Sequence, residues 1–127
     1  MSVLANRFLS AVRLCTGPLA IKKRLTLAWM EHLDGISPDE LPGDLQQDFI
    51  ELRKAMYMRD PLPMETAPQA SIRKMSATEA TTHADTIIAL YTALLRQQTG
   101  LAAEADAKDD RPAANGKDYD GLATRLN

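Results

Sequence analysis

Apolar residues in this chain recur every three or four positions, in blocks that glycine and proline close off. On a helix this spacing gathers the apolar side chains into one stripe, and a chain built of such blocks hides its stripes only by packing them on one another. Leu4, Phe8, Ala11, Val12 and Cys15 make the first block, a helix over roughly residues 2–15 that Thr16-Gly17-Pro18 ends. The second runs from about Pro18 to Leu33, with Ile21, Leu25, Ala28, Trp29 and His32 on its stripe and Gly35 just past its end. Leu19, Leu27 and Met30 fall off that stripe. A helix apolar on more than one side is either central to the fold or also meets a partner.

Ser37-Pro38-Asp39-Glu40 is a helix-start signature, cut short by Pro42 and Gly43, and predicts a single helical turn. A third helix is expected from about Asp44 to Met58, with Leu45, Phe49, Leu52 and Met56 inward. Ile50 and Tyr57, seven apart, form a second apolar line on its flank. Pro61, Pro63 and Pro68 predict an extended strap from Asp60 to Ala70, pinned by Leu62 and Met64. Ser76-Ala77-Thr78-Glu79 is a capping box with Met75 as staple. It opens a fourth helix whose core face reads Ala80, Ala84, Ile87, Tyr91, Leu94 and Leu95.

Beyond Gly100 the composition shifts to alanine, aspartate and lysine without apolar periodicity, which reads as a mostly disordered tail. Near its end Tyr119, Leu122 and Leu126 fall on one helical face. The expected architecture is therefore all-α. A small four-helix bundle-like domain occupies residues 1–99, with a proline-rich crossover before the last helix and a flexible tail over 100–127.

Charge is sorted along the N-terminal half. Met1 to Met30 holds Arg7, Arg13, Lys22, Lys23 and Arg24 and no acid, while Glu31 to Leu52 holds seven acids and no lysine or arginine. The net charge of −2 gives no global attraction to nucleic acid or to anionic membrane. No apolar run reaches the roughly 18 residues of a membrane span. The acid-free start has the composition of a transit peptide, but it carries side chains the core needs, so a cytoplasmic setting is expected.

Catalytic chemistry finds little support. His32, His83 and Cys15 are far apart without metal-ligand spacing, so neither a metal nor a cofactor is expected. Cys15 lies in an apolar pattern and reads as a buried small hydrophobe. His32 reads as a structural residue near a helix C-terminus, and His83 as a surface partner of Glu79 one turn away. No glycine-rich phosphate loop is present.

What remains points to docking. The surfaces the sequence singles out for a protein partner, or for self-association, are Lys22, Lys23, Arg24, Leu27, Met30, Ile50 and Tyr57. Lys22, Lys23 and Arg24 fan around a helix and, within the chain, are expected to pair with the acids of the third helix or to stay solvated. Arg73, Lys74 and Ser76, at the start of the fourth helix, are the residues for an anion site. Together with Lys22, Lys23 and Arg24 they support the alternative of a nucleic-acid-associated regulator.

Overall fold

The computed structural model describes residues 2–99, so the expectations for 100–127, including Tyr119, Leu122 and Leu126, lie outside the described residues. Among the described residues five α-helices follow in chain order: α1 Val3–Cys15, α2 Ile21–Ala28, α3 Gly43–Met56, α4 Ala67–Lys74 and α5 Ala77–Thr99. A π-helical turn, Trp29–Leu33, extends α2, and a 3-10 turn, Pro38–Glu40, precedes α3. No strand occurs among the described residues.

The local signals act as the chemistry requires. Ser2 accepts the Ala5 N–H at 3.1 Å and starts α1. The Glu40 carboxylate accepts the Ser37 N–H at 2.8 Å, closing the single turn before Pro42. At α5, Ser76 Oγ accepts the Glu79 N–H at 3.0 Å, and Glu79 Oε1 accepts the Ser76 N–H at 2.9 Å. Met75, the staple residue, packs against the core.

Four expected helices become five because the strap is shorter than its prolines suggest. Thr66 Oγ1 accepts the Gln69 N–H at 3.2 Å and Gln69 Oε1 accepts the Thr66 N–H at 2.8 Å, a complete capping box. Pro68 therefore stands in the first turn of α4, where its missing N–H costs nothing. The extended crossing ends at Thr66, and α4 buries Pro68, Ala70, Ser71 and Ile72. Helix two differs as well. It starts at Ile21, three residues beyond Pro18, and its last turn is wide, with the Asp34 N–H reaching the Trp29 carbonyl at 2.8 Å.

The core lies in the unit Met1–Leu95. Its centre is aromatic: Phe8 of α1 meets Phe49 of α3 edge-on at 6.0 Å, and Phe49 stacks on Trp29 at 5.7 Å. Leu25, Leu33, Ile36, Met56, Ile72, Ile87 and Leu94 are fully buried around these rings. Each such side chain contributes about 1.5–3 kcal/mol on burial, set against the chain entropy lost in ordering it. Cys15 is buried beside them, and burial pushes its thiol up to about 11 despite the opposing charge of Arg24, so it stays protonated and inert.

Candidate functional site

Where the chain leaves the π turn, Asp34 becomes the hub of a polar corner. Its Oδ1 accepts the Trp29 Nε1–H at 2.9 Å and the Tyr57 hydroxyl at 2.6 Å. Arg53 donates through Nη1 to the Asp34 carbonyl at 2.8 Å and sits 5.8 Å from the Trp29 ring and 5.3 Å from the Tyr57 ring. Tyr57 is thus held at its hydroxyl by Asp34 and flanked by a guanidinium. The hydrogen bond to the carboxylate raises its pKa above the usual tyrosine value.

Beside this corner Pro38, Ile50, Arg53, Lys54 and Tyr57 line a groove of about 260 Å³. Ile50 is 37% and Tyr57 45% exposed, so the flank pair of the third helix stands open to solvent in one groove. The groove falls short of the roughly 300–1,000 Å³ that small-molecule pockets offer. Leu27 and Met30 do not line it. Both are half-buried, and Met30 packs on the core while its sulfur accepts the Thr66 hydroxyl at 3.6 Å.

Of the two expectations for the basic triplet, pairing with the acids of the third helix or solvation, neither describes Lys22 and Arg24, which bond backbone carbonyls. Arg24 donates to the carbonyls of Cys15 and Leu19, each at 2.6 Å, and so satisfies backbone acceptors where α1 ends. Lys22 Nζ donates to the Arg73 carbonyl at 2.9 Å, at the C-terminal end of α4. The Cys15 and Arg73 carbonyls stand at helix C-termini, where the helix dipole favours a cation. Lys23 is exposed on the same helix.

Of the anion-site residues, Arg73 is bound bidentately by Glu65, at 2.8 and 3.0 Å, and Ser76 is engaged in the α5 capping box. The guanidinium of Arg73 holds the Glu65 carboxyl down at about 2. Lys74 is exposed beside them. The fold thus brings Lys22 and Arg73, far apart in sequence, to one place.

A larger cleft, about 420 Å³, opens between α3 and α5 and is lined in part by Asp48, Glu51, Thr82, His83 and Thr86. Burial lowers the His83 pKa while Glu79 pulls it back up. The Thr82 and Thr86 hydroxyls donate to carbonyls one turn earlier, at 3.1 Å each, and so present no nucleophile aligned on the imidazole. Among the described residues no group of three histidine, cysteine or carboxylate side chains is arranged to hold a metal ion. No described helix is long and apolar enough to cross a membrane. No protein family, curated protein or solved structure matches this chain.

Sequence reasoning passed over Asp34 and Arg53. Neither stands in a motif, and only the meeting of the π turn with α3 brings the Tyr57 hydroxyl to Asp34 and Arg53 to the Asp34 carbonyl. Arg53 did carry a weak signal, four residues before Tyr57 and so on the same face of a helix.

Proposed function

We propose that this chain is a non-enzymatic helical interaction module, acting in the cytoplasm, that binds protein through the face around Ile50 and Tyr57 of α3. The observation that carries the reading is an exposed tyrosine already held in place: Asp34 fixes its hydroxyl, Arg53 flanks its ring, and Ile50 and Pro38 open a groove beside it. Tyrosine and arginine in such a setting are the residue types that dominate binding energy, and an ordered side chain loses less entropy when a partner arrives. A photo-crosslinking residue at position 50 of the full chain, expressed in its host, tests this. Discrete protein adducts are expected from position 50 and none from position 13 on the exposed surface of α1; equal background from both positions overturns the reading.

A second reading, nucleic-acid binding, draws on the Lys22 bond to the Arg73 carbonyl, which joins the basic residues of α2 to those ending α4. Phosphate contacts release counterions, so this reading requires binding to DNA or RNA that falls steeply with salt and weakens when Lys23 and Lys74 are changed to glutamate.

A further inference from the structure

The strap between α3 and α4 displays its apolar side chains outward. Leu62 is 56% exposed and Met64 fully so, the reverse of the pinning role expected of them. The segment is nevertheless held firmly from behind. Glu65 accepts the Leu62 N–H at 3.0 Å and both arms of Arg73, its own N–H donates to the Leu62 carbonyl at 3.0 Å, and the Arg59 N–H reaches buried Ser71 at 3.0 Å. Pro61 and Pro63 restrict the backbone further, and Met64 takes a left-handed φ of 69°, which a residue with a side chain adopts only when its surroundings impose it. A tight knuckle with two apolar side chains facing water is costly to the free chain and becomes favourable once something covers it.

The groove at Ile50 and Tyr57 is a concavity a few residues upstream, and it stays open although the chain's own knuckle lies so near in sequence. The groove is rimmed by Arg53 and Lys54, while the knuckle begins with two exposed charges, Arg59 and Asp60, of which Asp60 is the one that a basic rim attracts. Apolar knuckle and acid against apolar groove and base are complementary, and one chain carries both. We infer that the groove's occupant is a second copy of this chain, each copy placing Leu62 and Met64 in the other's groove, with Asp60 of one facing Lys54 of the other. This rests on the reading that the α3 face binds protein. A two-fold axis then pairs two identical knuckle-in-groove contacts, the closed arrangement that leaves neither surface open.

Light scattering of the full chain over a concentration series tests the inference. The wild type forms a dimer as concentration rises. Ile50→Glu, which blocks both grooves of the pair, and Met64→Glu, which blocks both knuckles, each weaken it by at least about a hundredfold, the product of two lost aliphatic contacts of about tenfold each. Both positions are exposed, so helical content is retained. An equimolar mixture of the two variants regains dimer, because a mixed pair keeps one intact contact while either variant alone keeps none. Lys54→Asp weakens the dimer a few-fold, and adding Asp60→Lys restores it. A wild type that remains monomeric overturns the inference, as does Met64→Glu dimerising like the wild type, or a mixture that regains nothing. Should the wild type be monomeric while position 50 crosslinks to a different protein, the interaction reading survives and only self-association falls; with no adduct either, both fall.

Discussion

The Asp34 corner and the strap between α3 and α4 are both held by a carboxylate that gathers several donors, yet they rest on different foundations. In the corner, Asp34 backs onto Trp29, which is fully buried and stacked on Phe49. In the strap, Glu65 gathers the Leu62 amide and the Arg73 guanidinium at the surface. Polar bonds against the core become part of global stability, because a donor left without its acceptor there loses water as well. Polar bonds at the surface order a segment locally and are replaced by water when broken. One protein thereby keeps a rigid groove wall on its core and a rigid knuckle on its rim.

The largest expected effect tests the foundation of the corner. Trp29→Ala removes the ring that Phe49 stacks on and the donor that Asp34 receives, and should cost about 4 kcal/mol in urea unfolding. A cost near that of a surface substitution would show that the corner stands without the core. Asp34→Ala, which leaves the Trp29 Nε1–H and the Tyr57 hydroxyl without their common acceptor, should cost about 2 kcal/mol. Crosslinking from position 50 should weaken in the same variant, since the groove wall loosens.

On the strap side, Thr66→Ala removes the cap that ends the crossing and starts α4. About 1 kcal/mol is expected by thermal unfolding. A change within error would mean that tertiary packing of Ile72 and Ala70 alone fixes where α4 begins.

The smallest effects appear under titration, where the two regions respond at opposite ends of the pH scale. Glu65 is depressed from 4.5 to about 2 by Arg73 and the Leu62 amide, so its contribution is fully present above 4.5 and is lost as pH falls through about 2. Exchange protection of the Leu62 amide should therefore persist below pH 4 and disappear toward 2. Tyr57 is raised above its usual 10 by Asp34, so its contribution is present below 10 and is lost as pH climbs through the higher folded value. Ultraviolet titration of the phenol, taken as the difference from Tyr57→Phe, should show Tyr57 ionising above pH 10, and Asp34→Ala should abolish the delay.

Much of the scaffold was legible because its determinants are local. The boxes Ser37–Glu40 and Ser76–Glu79 each act within four residues, and the stripes of Phe8 with Cys15 and Phe49 with Met56 within two helical turns. The fifth helix was legible in principle, since Thr66-Ala67-Pro68-Gln69 is a capping box too, but three prolines drew the reading toward an extended strap. A proline ends a helix in its interior and begins one in its first turn, and its place relative to a cap is what separates the two cases. In the candidate site, Ile50 and Tyr57 were visible as a flank pair, whereas the hub that orders them was not.

By itself, then, the sequence determined that the described chain is helical, where most helices begin, and which side chains are apolar enough to form a core, because each of these depends on neighbours within one or two turns. Only the tertiary structure decided that Asp34 receives Tyr57 from 23 residues away, that Lys22 spends its charge on the carbonyl of Arg73, 51 residues distant, and that Leu62 and Met64 face water instead of pinning the strap. Those outcomes depend on which surfaces meet across the core. A hydrogen bond or an apolar contact between distant residues leaves no spacing in the chain from which it can be read.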